Sequence, residues 1–195
     1  FVIDEAHCFS SWGQDFRVDY LYISKFIRQL GLIKNLPKPI PVSCFTATAK
    51  PEVVKDIQEY FFVQLGLQLK LFQTTATRTN LSYYASRADS WESKINQLLN
   101  LLSQTDEPCI VYVSRTKTTE DVAEVLRKSG ITAQAFHGQM DSDVKIGILE
   151  RFTSKDSDIQ VIVATSAFGM GVDKENVKMV IHYDISDSLE NYLQE

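Results

Sequence analysis

Two adjacent carboxylates and, one residue on, a histidine (Asp4-Glu5-Ala6-His7) stand at the end of the apolar run Phe1-Val2-Ile3. A carboxylate at a strand end is a hard oxygen ligand suited to Mg²⁺ against a nucleotide phosphate, so Asp4 is the expected metal ligand. A second carboxylate beside it, Glu5, polarises an attacking water. Phosphoryl transfer uses such a pair because its barrier is lowered by positioning and charge stabilisation. His7 falls within reach of the same γ-phosphate region. On these residues alone the alternative is a strand followed by a solvated acidic turn.

An apolar run that closes on a carboxylate reads as a buried strand of a parallel sheet. Such a strand delivers its polar end to the carboxyl edge, where α/β proteins bind ligands. The loop that follows carries Phe9, Trp12 and Phe16 with Gly13 and Arg17. Two roles fit it. The aromatics pin the loop to the core, or their faces stack on unpaired bases at about 1–3 kcal/mol each and report single-stranded DNA to Glu5 and His7.

The chain has 195 residues, 44% of them hydrophobic, which suffices for one large or two small cores and excludes a disordered chain. No apolar run approaches the roughly 20 residues of a membrane span, and no basic-then-apolar leader opens the chain. A soluble intracellular protein of the cytoplasm or nucleus is expected. Cys8, Cys44 and Cys109 are odd in number and lack a Cys-x-x-Cys pair, so neither a disulfide framework nor a zinc site is expected. The net charge of −5 argues against tight nucleic-acid binding, although a translocating motor needs only a local basic track. No Gly-x-x-x-x-Gly-Lys-Ser/Thr loop occurs, so the chain is expected to be an internal piece whose phosphate loop lies in the remainder of the same polypeptide.

Asp4-Glu5-Ala6-His7 followed by Cys8 and Ser10-Ser11-Trp12-Gly13-Gln14-Asp15-Phe16-Arg17 resembles motif II and the aromatic-rich loop of RecQ-family DNA helicases. The resemblance implies an α/β superfamily 2 motor with two RecA-like domains, parallel sheets flanked by helices. It also implies ATP and Mg²⁺, 3′ to 5′ movement on single-stranded DNA, and duplex unwinding in repair and recombination. Trp12, Phe16 and Arg17 are then DNA sensors.

Tyr20, Ile23, Ile27 and Leu30 recur at helical spacing and predict a helix over 18–31 that Gly31 ends. Val42-Ser43-Cys44-Phe45 predicts a strand running into Thr46-Ala47-Thr48-Ala49. Hydroxyls there either bond an acidic neighbour or make an ordinary strand-to-helix turn. Similarity to the family's motif III implies that Thr46 and Thr48 couple nucleotide to DNA. Pro51 suits a first helical position before an apolar stripe of Val54, Ile57 and Phe61, and 67–72 is a candidate strand closing the first unit. Residues 1–73 are therefore expected to be the end of the first RecA-like domain, 74–82 a linker and 83–195 the second. Arg78, Asn80, Leu81 and Tyr83 resemble the family's interdomain Arg-Pro-Asn-Leu segment, with Thr79 in place of the proline.

In the second unit a helix over 90–102 precedes strands at 109–113, 133–137, 161–165 and 177–183 that alternate with helices, the pattern of a parallel sheet. Thr118 and Asp121 are candidate caps of a helix that ends at Arg127, Lys128 and Gly130. Val144, Ile148 and Phe152 share one helical face. Ser114-Arg115 resembles motif IV, where Arg115 either touches a phosphate or is a surface charge. His137-Gly138 resembles the turn that lines the DNA track. Ala164-Thr165-Ser166-Ala167-Phe168-Gly169-Met170-Gly171-Val172-Asp173 resembles motif V, which implies that Thr165 and Ser166 contact the DNA backbone while Gly171 and Asp173 face ATP. Residues 188–195 resemble the approach to motif VI, whose arginines are absent. An arginine finger is worth about 10³–10⁵ in rate, so the chain as given is not expected to hydrolyse ATP alone. An RNA helicase of the same superfamily and a non-catalytic RecA-like module that binds nucleic acid or a partner are the alternatives.

Overall fold

The computed structural model describes residues 1–10, 18–46, 50–73, 79–169, 172 and 174–195. They form two compact units, Phe1–Ser82 and Tyr83–Glu195.

In the first unit β1 (Val2–Ile3) pairs in parallel with β2 (Ser43–Cys44), Ile3 opposite Cys44. Phe45 N–H donates to Ile3 at 2.8 Å and Ala6 N–H to Phe45 at 2.9 Å, so pairing continues into the acidic turn. The strand is covered on one face only. Ile3 is buried with Ile27, Val53, Ile57 and Phe61, whereas Val2 is 72% exposed, so the expectation of a wholly buried strand is corrected. Helix α1 (Ile23–Ile33) follows a 3₁₀ turn, Val18–Tyr22. Gly31 lies inside α1 and does not end it. The stop is Asn35, at φ 48°, with Leu36 N–H bonded to Gly31 and Asn35 N–H to Leu32. Asparagine tolerates this left-handed cap because its short polar side chain suits it.

Helix α2 (Pro51–Leu65) begins on Pro51 and ends at Gly66, φ 68°. Its buried stripe is Val53, Ile57 and Phe61, an unbroken four-residue spacing, and the expected Val54 is only partly covered. The strand expected at 67–72 does not form. Leu67 and Leu69 pack on the core, Leu71 and Phe72 are exposed, and Gln58 Nε2 holds the Leu69 carbonyl at 3.0 Å in place of a ladder partner.

In the second unit α3 (Trp91–Leu102) starts at Ser90, whose hydroxyl accepts the Ser93 N–H at 3.1 Å. There follow β3 (Cys109–Tyr112), α4 (Thr116–Lys128), β4 (Ala133–Phe136), α5 (Ser142–Thr153), β5 (Val161–Ala164), β6 (Met179–His182) and α6 (Leu189–Gln194). The strands form one parallel sheet in the order β4-β5-β3-β6, the RecA-like α/β plan. Alternate side chains serve opposite faces. Cys109, Val111 and Val163 pack with Leu98, Val122 and Leu126 of α3 and α4, while Ile110, Tyr112 and Ile162 pack with Ile148 and Phe152 of α5.

Two local expectations are corrected here. Thr118 and Asp121 lie inside α4, which starts earlier because Arg115 occupies the cap position with extended backbone and no side-chain cap bond. Val144 is 48% exposed, so the buried face of α5 begins at Ile148. No disulfide joins Cys8, Cys44 and Cys109, and among the described residues no helix is long and apolar enough to cross a membrane.

Candidate nucleotide and nucleic-acid sites

The acidic turn of the first unit is built by β1 and a 3₁₀ helix, Ala6–Phe9. Phe9 anchors it, with its ring 5.2 Å from Tyr20, 5.2 Å from Phe61 and 4.8 Å from Tyr60. Buried Ser10 donates its hydroxyl to Asp56 of α2. Between these anchors the backbone turns sharply, and Glu5 takes φ 49°, a left-handed conformation that is uncommon outside glycine.

Asp4 is exposed, and its Oδ1 accepts the Glu5 N–H at 2.9 Å. Glu5 Oε2 stands 3.2 Å from His7 Nδ1, yet it is shielded from solvent and accepts no aligned hydrogen bond among the described residues. His7 Nδ1 is also 3.2 Å from Thr46 Oγ1, at the end of β2. The structure thus brings Asp4, Glu5, His7 and Thr46 together. Trp12, Phe16, Arg17 and Thr48 lie outside the described residues.

In the second unit the register assembles the site. Tyr112 lies opposite Ala164 and His182, and Phe136 opposite Ala164, so the four strands end in one row. Two residues further along each chain stand Ser114, Ser166, Asp184 and Gly138, at the carboxyl rim where α/β sheets bind ligands. Ser114, Thr165, Ser166 and Asp184 line one cleft there. Arg115 is exposed beside it. The turn after β5 is held from beneath. Tyr112 donates its hydroxyl to the Phe168 carbonyl at 3.0 Å, and Phe168 packs on Phe136 with centroids 4.9 Å apart. Burial, and next the Glu195 charge, push the Tyr112 phenol up, so it remains a donor. Gly171 and Asp173 lie outside the described residues.

His137 follows β4 at the rim, where Glu120 of α4 engages its ring. The residue is 9% exposed, its Nε2 is 3.3 Å from Glu120 Oε1, and its Nδ1 is shielded without a hydrogen-bond partner among the described residues. A phosphate contact by this ring requires Glu120 to yield.

Sequence reasoning passed over Asp184 and Lys94. Asp184 accepts the N–H and hydroxyl of Ser114, both at 3.0 Å, and Lys94 Nζ at 2.9 Å. Burial pushes its carboxyl up, but these donors and the Lys94 charge together hold it below the usual carboxylate range. The available signal was Val180-Ile181-His182-Tyr183-Asp184, a strand ending on a carboxylate as β1 does.

Among the described residues no group of three side chains is placed to hold a metal ion. Asp4, with one oxygen taken by the backbone, fits a cation bound through a single carboxylate and substrate phosphates.

Residues 93–195 match the helicase conserved C-terminal domain. The chain is 36% identical over 200 aligned residues to the RecQ-like DNA helicase blm-1 of Caenorhabditis elegans, covering 100% of this chain and 19% of that protein. It is 36% identical over 194 to the ATP-dependent DNA helicase RecQ of Bacillus subtilis, covering 100% of this chain and 31% of that protein. The chain thus spans less than a third of either relative's length. Among solved structures, Saccharomyces cerevisiae Dbp5 bound to RNA and ADP BeF3 superposes with a TM-score of 0.74 at 18% identity, over 100% of this chain and 48% of that one, a likeness of fold. With the domain match spanning more than half of its residues and RecQ-type similarity running its whole length, the chain belongs to the helicase conserved C-terminal domain family.

Proposed function

We propose that this chain supplies part of the two-domain core of a RecQ-type, ATP-dependent DNA helicase that translocates 3′ to 5′ on single-stranded DNA and unwinds duplex. Phe1–Ser82 is then the end of the first RecA-like domain and Tyr83–Glu195 the second. The observation that carries this reading is the in-register rim of the second unit, where Ser114, Thr165, Ser166 and Asp184 converge on one cleft. Hydroxyls and backbone amides at such a rim suit a phosphate chain read without regard to base.

In the first unit exposed Asp4, with Oδ1 taken by the Glu5 N–H, has Oδ2 left to hold Mg²⁺, which supplies charge neutralisation on the transferred phosphoryl group when bound. Glu5, with Oε2 accepting no aligned hydrogen bond from the described residues, takes the proton of the attacking water, and His7 holds the carboxylate in place. Thr46 and Thr48 relay DNA occupancy, sensed by Trp12, Phe16 and Arg17. Arg115, Thr165, Ser166 and, after release from Glu120, His137 engage the DNA backbone, and Gly171 and Asp173 face ATP.

The test is ATP hydrolysis by the full-length protein, with and without single-stranded DNA, for the native sequence and Glu5→Gln. DNA should stimulate turnover strongly, and the substitution should cut it by about 10²–10⁴ while DNA binding persists. A folded native protein whose turnover ignores DNA would overturn the motor and favour a binding module.

A further inference from the structure

Lys94 in the first turn of α3, Ser114 beyond β3 and Asp184 beyond β6 are distant in sequence and meet on one carboxylate. Asp184 Oδ2 accepts both donors of Ser114 at 3.0 Å, which fixes the direction of the serine hydroxyl and of the backbone that leads to Arg115. Asp184 Oδ1 accepts Lys94 Nζ at 2.9 Å. The ammonium is itself held, 3.0 Å from the Tyr183 carbonyl and 4.7 Å from the centre of the Tyr183 ring.

The charges pose a problem for phosphate binding. Asp184, Asp187 and Glu195 line the same cleft as Thr165 and Ser166, and a phosphate brought to the hydroxyls meets these carboxylates at short range. Lys94 is the cation that faces Asp184, and it compensates that carboxylate where it stands.

We propose that Asp184 is a positioning residue for nucleic-acid backbone binding: by holding both Ser114 donors it fixes the β3–α4 turn that presents Arg115 to a phosphate, while Lys94 cancels its charge. The inference rests on the proposed helicase function and names the pair that sets the grip of the second unit.

The test uses the full-length protein, a labelled oligothymidylate and fluorescence anisotropy at one fixed salt concentration. The DNA concentration that half-saturates ATP turnover is the second readout. Asp184→Ala should raise Kd about five- to tenfold, from the loosened β3–α4 turn, and should raise the DNA concentration that half-saturates ATP turnover by the same factor. Asp184→Asn keeps an acceptor for Ser114 and should stay within about twofold of native. Lys94→Met should raise Kd, and adding Asp184→Asn should restore it because no charge remains to be cancelled. A carboxylate that merely braced the fold would not show that restoration. Thr165→Ala combined with Ser166→Ala is the reference for the cleft.

If the reference pair weakens binding and neither Asp184→Ala nor Lys94→Met does, the positioning role is overturned and the cleft stands. If none of the variants alters binding, the cleft is not the track and the inference falls with it. Should Asp184→Ala fail to fold, the Lys94→Met series decides, and failure of the double variant to recover overturns the proposal.

Discussion

Thr46 Oγ1 lies 3.2 Å from His7 Nδ1, the same ring nitrogen that stands 3.2 Å from Glu5 Oε2. One imidazole nitrogen carries at most one proton, so it donates well to only one of the two oxygens at a time. A shift at the end of β2 is therefore felt at the carboxylate assigned to water activation.

Thr46→Val removes that hydroxyl and leaves the volume nearly unchanged. In the full-length protein it is expected to lower DNA-stimulated ATP turnover about fivefold, the worth of one hydrogen bond, with basal turnover held within about twofold. The ratio of stimulated to basal rates checks it. An unchanged ratio would remove Thr46 from the relay.

Phe168 is 2% exposed and wedged against Phe136 and Phe152, while its carbonyl receives the Tyr112 hydroxyl. Phe168→Ala should destabilise the second unit by about 3–5 kcal/mol, and Phe168→Leu by much less. Hydrogen exchange of the β3 and β5 amides reports this, and protection equal to native in the alanine variant would contradict the packing described.

Asp184 also predicts a pH dependence. Its folded carboxyl lies below the ordinary value of 3.8, so its contribution to stability is complete above that value and is lost as pH falls through the folded one. Asp184→Asn should melt lower than native at neutral pH, and the two curves should converge in acid. Melting temperatures across a pH series measure it.

Burial raises the Cys44 thiol to about 11, and burial followed by the Glu107 charge does the same for Cys109. At pH 8 only about one thiol in a thousand is then ionised, and the thiolate is the reactive form. Iodoacetamide should label both slowly in the folded protein and quickly in denaturant, as mass spectrometry of timed samples would show. Rapid native labelling would mean that these thiols are less buried than the fold places them.

The elements most legible in the sequence were those whose local chemistry and tertiary setting agree. Val161-Ile162-Val163-Ala164 is apolar throughout and β-branched as far as Val163 because both of its faces are covered, and Ser90 announces α3 because its hydroxyl caps it. Residues 67–72 misled because Leu67, Leu69 and Leu71 alternate as a strand does, while a ladder needs a neighbouring strand that no local pattern encodes. Gly31 misled for a related reason: glycine permits a helix stop, but the stop fell where Asn35 adopts the left-handed turn. At the candidate sites, Asp4, Glu5 and Thr46 could be read because each sits at a strand end. Lys94 could not, since its importance comes from Asp184, 90 residues later.

The single direction shared by β4, β5, β3 and β6 also divides the second unit by tolerance to change. Among the described residues, those proposed to contact the nucleic-acid backbone in this unit, Arg115, His137, Thr165 and Ser166, lie on the rim where the strands finish. The connections that enter the strands, at 103–108, 129–132, 154–160 and 174–178, carry none of them. Insertions, labels and surface mutations are best placed at the exposed positions of those entries, away from buried Ile159 and from Gln160, whose N–H bonds Thr132, so that the opposite rim is unaltered.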